Sequence, residues 1–351
     1  MKLIKNIIPF TFLLFISVHL VLFLVLQKEP IDFVQNRENS LIPRYDTSGT
    51  TVYFKKWYRY IEDHFPLKNE YIKQSNLIKG VWFKSFNSKN KVIIGHNDWL
   101  FYNSCVYDDE GLDEFAGFDR WNPEQLKKVV ENIKTIKKWC HKHNIQFEVL
   151  ICPNKQTIYP EYLPTNYLSK HDNRLTQLKK ELPEIINLEN IFKVSRKENP
   201  SKLLYYKTDT HWNSYGALLA ARELRKRLVP HFSYIDDLSI SLKDSVSLNG
   251  FDLANMIALK NNFIDSIPLV TFSNKSSQKI PSLVMVHDSF SGSLESSLNQ
   301  LFTTITYRHL YTDGIPSPSY LLENKPDVFI IELVERYKEI LTNDIHADFY
   351  N

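Results

Sequence analysis

Asp209 and His211 stand two positions apart in the stretch KTDTHWNSYG (residues 207–216), where an apolar segment gives way to a helical pattern. In extended chain alternate residues point the same way, so this carboxylate and imidazole can share a side. Such a pair can serve a nucleophilic hydroxyl. The imidazole takes the hydroxyl proton, and the carboxylate holds the tautomer and stabilises the imidazolium. The competing reading is structural, since Asp and Thr are common caps at helix starts. A serine in a matching place favours the chemical reading. In LVMVHDSFSGS (residues 283–293), Leu283–Val286 reads as a buried strand and Ser289 follows at a strand-to-helix turn. There the free amides and positive end of a helix could stabilise an oxyanion. Ser289, His211 and Asp209 are thus the expected nucleophile, base and orienter.

Other residues are secondary candidates. Asn154, in the loop CPNKQTIYPEYLP, could donate its amide to an oxyanion or simply form a turn beside Pro153. Arg308 could hold an acidic sugar or be a structural surface arginine. Tyr307 and Tyr311 could line a sugar groove, while most aromatics, Trp82 and Trp99 included, are expected in the core. His287 is too close in sequence to Ser289 to serve as its base. Glu332 and Glu335 flank a strand end, and paired-carboxylate chemistry would need a separation that spacing does not reveal. No metal site is expected: His141-Lys142-His143 reads as a solvated helix end, and Cys105, Cys140 and Cys152 have no ligand spacing. An odd cysteine count leaves at least one unpaired within the chain.

The elements that must position these residues alternate from residue 118 onward. NPEQLKKVVENIKTIKKWCHKHN has Asn122 at the cap and Pro123 at the first helical position, with Leu126, Val129, Val130, Ile133 and Ile136 as its stripe. Strands are expected at residues 147–151, 185–188, 203–206, 283–286, 304–307 and 328–332, with helices between most of them, including 215–228 and 318–323. This alternation predicts a three-layer α/β domain around a mainly parallel sheet, whose functional loops gather at the strands' carboxyl ends. Ahead of it, KVIIGHNDWLFYN predicts a hairpin of Val92–Ile94 and Trp99–Tyr102. Two helical stretches broken at Pro66 precede that, with Val52, Trp57, Tyr60 and Ile61 on one face and Tyr71, Ile72, Leu77 and Val81 continuing it. The domain reading is 1–27 anchor, 28–117 stalk, helices and hairpin, and 118–351 catalytic domain.

Composition narrows the class. Over 351 residues, 43% hydrophobic and 24% charged allow a large core, and a formal charge of +3 offers no footprint for nucleic acid. Ile7 to Leu26 contains no charge, and as a helix it spans about 30 Å, the thickness of a bilayer's hydrocarbon core. It lacks a small-residue cleavage site, so an uncleaved single-pass anchor is expected rather than a signal peptide. Lys2 and Lys5 place its amino end in the cytoplasm, though Lys28 weakens the asymmetry.

KTDTHWNSYGALLAARELRKRL followed downstream by LVMVHDSF resembles the SGNH hydrolase-like domain of the alginate O-acetylation family, AlgX and AlgJ. KVIIGHNDWLFYN, ICPNKQTIYPEYLP, NGFDLANMI and KPDVFIIELVERY resemble that family's blocks, over residues 50–340. The resemblance implies an SGNH-like α/β/α sandwich with Ser289, His211 and Asp209 in the roles above, the Asp/His block preceding the serine as in that family. It implies a membrane-anchored enzyme of the bacterial cytoplasmic membrane that faces the periplasm or exterior. Such an enzyme O-acetylates a surface or secreted polysaccharide through an acetyl-serine. No bound cofactor is implied, with acetyl supplied by a membrane-bound acyltransferase partner. A Gly-Asp-Ser block is usual in SGNH enzymes, whereas His287 precedes Asp288-Ser289 here. A carbohydrate acetylesterase with the same triad, or a non-catalytic polysaccharide-binding scaffold, stays open.

Overall fold

The structure is a computed structural model that describes the chain apart from residues 1, 27–29, 33–36, 46–48, 79–91, 104–114, 116–119, 165–171, 187, 236, 239, 273–277 and 351. Lys28, Val81, Trp82 and Cys105 lie outside the described residues. Internal packing divides the chain into residues 1–86 with 254–262, and residues 87–253 with 263–351.

The larger unit is built on four parallel strands in the order Gln146–Cys152, Val328–Val334, Ile280–His287, Phe302–His309. The two inner strands alternate between two apolar layers. Val328, Ile330 and Val334 face one core with Leu283 and Met285, whereas Phe329, Ile331 and Leu333 face the other with Val284 and Val286. Burial on both faces is what a parallel sheet sandwiched by helices requires. Leu188–Glu198, Ser214–Leu228 and Glu295–Leu301 pack on the first layer, and Pro123–Lys142, Arg174–Glu181 and Pro318–Asn324 on the second. The result is the expected α/β/α sandwich.

Because both faces of Val328–Val334 accept aliphatic side chains, apolar burial by itself discriminates register weakly. Glu332 supplies the discrimination. It is fully buried and bonded to Cys152 on one neighbouring strand and to Asp288 just beyond the other. A one-residue slip turns every side chain over, and would strand this carboxyl in an apolar layer without partners.

Local signals account for the helices. Asn122 accepts from the Gln125 amide while the Gln125 side chain accepts from the Asn122 amide, a reciprocal cap with Pro123 at the first turn. Val129, Val130, Ile133, Ile136 and Trp139 then form its buried stripe, and the helix ends at Lys142, with His143 as its C-cap. Asn213 caps Ser214–Leu228 by accepting from the amides of Tyr215 and Gly216. Gly216 is required by close approach: a Cβ there would lie 2.4 Å from the Leu204 carbonyl oxygen.

Several sequence expectations are corrected. Among the described residues of the expected strand at 185–188, none is in a strand: Ile185 is a bend and Leu188 starts a helix. Residues 203–206 form no sheet strand either, making only one bridge between Tyr205 and Trp212. Conversely, an antiparallel pair, Ile240–Asn249 with Ile264–Phe272, appears where no strands were expected. Ile264–Phe272 is mostly half-exposed and residues 245–249 are exposed, so the apolar run of a buried strand is lacking there. The hairpin of Val92–Ile94 and Leu100–Tyr102 pairs as expected, beginning one residue late, and Trp99 is buried. It lies inside the larger unit, ahead of the boundary read from the sequence at residue 118.

The smaller unit contains the helix Lys2–Val25, with Ile7–Val25 long and apolar enough to cross a membrane. Two further helices, Thr50–Asp63 and Lys68–Asn76, flank Pro66, and Leu67 turns between them with φ of 58°. Asp63 anchors the preceding chain by accepting from the amide and hydroxyl of Ser40 at 2.8 and 2.7 Å.

Candidate active site

Two loops of the larger unit bring the expected residues together. His211 Nδ1 lies 2.6 Å from Asp209 Oδ1, and His211 Nε2 lies 2.9 Å from Ser289 Oγ. The Asp209 carboxylate also accepts the His211 backbone amide at 3.0 Å, which fixes carboxylate and ring relative to the same stretch of chain. With Nδ1–H donating to the carboxylate, Nε2 presents a lone pair to the serine hydroxyl. Ser289 is exposed, while Asp209 and His211 are half-buried. The arrangement therefore combines a solvent-reachable hydroxyl with a shielded acid and base.

The loop carrying Asp209 and His211 is held by ionic groups that sequence reasoning missed. Lys155, only 2% exposed, donates from Nζ to the carbonyls of Tyr206, Lys207 and Asp209 at 3.1, 2.9 and 2.5 Å. Asp265 accepts the amide and hydroxyl of Thr208 at 2.7 and 2.8 Å, and Asp252 accepts those of Thr210 at 2.9 and 2.7 Å. The Thr210 hydroxyl oxygen stands 3.1 Å from His211 Nδ1. Lysines are seldom buried, so nothing in CPNKQTIYP signalled this role. Burial lowers the Lys155 ammonium to about 8, against the opposing pull of Asp209, Asp252 and Asp265. Burial also works to raise the Asp209 carboxyl, but its bonds with His211 and the charges of His211 and Lys155 prevail and hold it below the ordinary range. Asp252 shifts the other way, raised by burial and by repulsion from Asp209.

The serine loop rests on different supports. Asp288 accepts from the amides of Phe290 and Val334 at 2.8 and 2.7 Å. Glu332 accepts the Cys152 thiol at 3.0 Å and the Asp288 amide at 3.2 Å. Burial first, and then the nearby Asp288, push the Glu332 carboxyl well above its ordinary range. Ser289 opens a five-residue 3-10 turn, Ser289–Ser293, and the α-helix begins only at Glu295. The expected α-helix amino terminus at the serine is therefore displaced by that turn. Trp212, fully buried, donates from its indole to the Phe290 carbonyl at 2.9 Å and ties the two loops together.

Asn154 is completely buried beside these loops, and Arg336 donates to its Oδ1 at 2.8 Å. Its Nδ2 has no hydrogen-bond partner among the described residues. His287 is engaged with Ser291 Oγ at 2.7 Å and the Asp288 carbonyl at 2.8 Å. Arg308 donates to the Asp313 carbonyl at 2.9 Å and lies 4.4 Å from the Tyr320 ring centre. Tyr307 is exposed on the edge strand with its ring 5.4 Å from that of His287, and Tyr311 is also exposed. Glu335 is buried and accepts the Thr157 hydroxyl, so neither glutamate of the pair stands open to substrate. Cys140 and Cys152 are both free and buried.

Asp209, His211 and Asp252 each bring a potential metal-ligand atom within 4.8 Å of the others. Those groups are already engaged: His211 Nδ1 with Asp209, and both Asp252 oxygens with Thr210. The set is organised for hydrogen bonding.

Comparisons with known proteins agree with this architecture. The family described as "SGNH hydrolase-like domain, acetyltransferase AlgX" matches residues 92–262. The probable alginate O-acetylase AlgJ of Pseudomonas fluorescens is 27% identical over 193 residues, covering 52% of this chain and 45% of that protein. Its counterpart in Pseudomonas syringae pv. tomato is 26% identical over 185 residues, covering 51% and 44%. The chain thus spans about half the length of the curated relatives it matches. Among solved structures, the O-acetyltransferase domain of Pseudomonas putida AlgJ superposes with a TM-score of 0.51 at 19% identity, covering 74% of this chain and 95% of that one. Bacillus cereus PatB1 does so with a TM-score of 0.50 at 13% identity, covering 74% and 98%. At these identities the structural likeness establishes the fold.

Proposed function

The chain carries an SGNH hydrolase-like domain of the AlgX/AlgJ type, and from that premise we propose that it is a membrane-anchored O-acetyltransferase acting on a bacterial surface or secreted polysaccharide. The observation that carries this reading is the unbroken chain of 2.6 and 2.9 Å hydrogen bonds from Asp209 through His211 to an exposed Ser289. Ser289 Oγ bonds to the acetyl carbonyl carbon as its proton passes to His211 Nε2. Asp209 steadies the imidazolium that forms. Collapse of the tetrahedral oxyanion breaks the bond to the donor's leaving group, which takes that proton and leaves acetyl-Ser289. A sugar hydroxyl then attacks the ester and gives its proton to His211. The second collapse returns a proton to Ser289 and releases the acetylated sugar.

Each half-reaction passes through an oxyanion. The Nδ2 of Asn154, without a partner among the described residues and with its oxygen already held by Arg336, is the donor we assign to it. No bound cofactor enters this scheme. Acetyl is supplied by a membrane-bound acyltransferase partner, and residues 7–26 hold the chain in the cytoplasmic membrane with the catalytic unit in the periplasm. Tyr307 and Arg308, on the edge strand beside the serine strand, are assigned to the sugar side.

The test incubates the full chain in nanodiscs with p-nitrophenyl acetate and a panel of bacterial oligosaccharides. Mass spectrometry should find acetyl on Ser289 and on a sugar hydroxyl. Acetate with no acetylated sugar would make the protein an esterase, and unchanged turnover in Ser289→Ala would remove the serine from the chemistry.

A further inference from the structure

Within the smaller unit, the helix Thr50–Asp63 carries three faces at 100° per residue. Tyr53, Trp57, Tyr60 and His64 form the inner one, with successive rings 6.4, 5.7 and 4.5 Å apart. Lys55, Arg59 and Glu62 form a charged one. Between them runs a third: Phe54 is 65% exposed, Tyr58 72% and Ile61 48%, and Phe65 extends the line at 39%. Apolar residues at i, i+4 and i+7 make a stripe, and a contiguous exposed stripe marks an interaction surface.

The contacts of this unit set the helix against the apolar run of residues 7–26. Tyr60 meets the Phe23 ring edge-on at 6.2 Å, and Phe65 stacks on His19 at 5.4 Å. His19 Nδ1 donates to the Phe15 carbonyl at 2.8 Å, leaving Nε2 to accept the Tyr71 hydroxyl at 2.6 Å. Phe23 and His19 belong to the uncharged run ending at Leu26. A rise of about 1.5 Å per residue puts them roughly 5 and 10 Å inside its end. Helices lying in a membrane interface bury their apolar face about 5–10 Å into the headgroup–acyl boundary. The partners of Phe23 and His19 sit at that depth. A polar side chain within a span is costly unless paired, and Tyr71 is the pair that His19 has found.

We propose that Thr50–Asp63 is an interfacial helix, its Phe54–Tyr58–Ile61 face covered by lipid acyl chains of the periplasmic leaflet. This rests on the anchor reading of residues 7–26. The segment is then a second membrane contact rather than part of a solvated stalk. Lys55 and Arg59, flanking the stripe, are placed at the height of the headgroups.

The experiment uses the full chain with Cys105→Ser in nanodiscs of phosphatidylethanolamine and phosphatidylglycerol; Cys140 and Cys152, being buried, escape labelling. Nitroxides are attached at Phe54→Cys, Tyr58→Cys, Arg59→Cys and Val21→Cys, and collisions with oxygen and with an aqueous nickel chelate are measured. Positions 54 and 58 should favour oxygen severalfold, as Val21 does, while position 59 favours nickel. Nickel preference at 54 and 58 means water covers the stripe and overturns the proposal. Shielding from both reagents means protein covers it, which overturns the proposal equally. Nickel preference at Val21 would instead remove the anchor on which the proposal stands.

Discussion

The two loops that meet at the candidate site are held by opposite means. The Asp209–His211 loop follows no sheet strand, and buried charge organises it: the Lys155 ammonium against three carbonyls, and two carboxylates against Thr208 and Thr210. The Ser289 loop leaves a strand paired on both sides, and Asp288 and Glu332 add polar support by accepting backbone amides around the turn. The contrast follows from the backbone. A loop outside the sheet must find partners for its own carbonyls and amides, and a cation can serve several carbonyls at once. A loop continuing a strand inherits its position from the ladder. The base loop thus depends mainly on buried ionic groups, and the serine loop mainly on the ladder it continues.

That contrast can be broken first at the chemistry. Ser289→Ala should lower acetyl transfer by about 10⁴-fold or more. Its melting temperature should stay close to that of the parent, since the hydroxyl lies at the surface. Transfer assays paired with calorimetry would show whether chemistry and stability separate this way.

Lys155→Met tests the ionic side. It removes the donor of three part-buried carbonyls, so we expect a loss of about 2–3 kcal/mol in urea unfolding. Transfer should fall with it, and because the loop carries the base, its pH profile should shift while the serine strand keeps its hydrogen-exchange protection.

The lysine also predicts a pH window. Its folded value of about 8 lies below the ordinary 10.5. Between these the unfolded chain binds more protons, so this group makes stability rise with pH, by about 3 kcal/mol across the window. The neutral amine keeps two N–H donors for the three carbonyls, whereas methionine supplies none. Unfolding free energies measured from pH 7 to 10.5 should therefore lose this upward component in Lys155→Met.

Glu332→Gln is the smallest change. Burial favours the neutral carboxyl at Glu332, and an amide of the same shape keeps one accepting oxygen, so stability should move by about 1 kcal/mol or less, with activity within a few-fold. A loss as large as that of Lys155→Met would show that the serine loop leans on a buried charge as well, and the proposed asymmetry between the loops would disappear.

Much of the layered domain was legible because its signals are local. Asn122-Pro123 with a periodic stripe specifies a helix start, and Leu283–Val286 and Val328–Glu332 are apolar enough to be buried strands. Ile185–Leu188 and Leu203–Tyr206 carry the same apolar signal yet form no sheet strand. Their side chains reach the core from a turn, a helix start and a loop, and burial without ladder partners looks the same in sequence. The Ile240–Asn249 and Ile264–Phe272 pair was missed for the reverse reason: its hydrogen bonds make a strand of residues whose burial does not advertise one.

The sequence by itself determined the chemical types present: an acid and an imidazole two residues apart, a serine after an apolar run, and an uncharged segment of membrane length. Those follow from side-chain identity and short spacing, which survive in any fold. Only the tertiary structure decided that Lys155 lies beneath the histidine loop, that Glu332 meets Asp288, and that Tyr71 finds His19. These pairings join residues 44 to 54 positions apart. A titratable side chain takes its meaning from the dielectric and the charges around it, and those come from the whole packed chain.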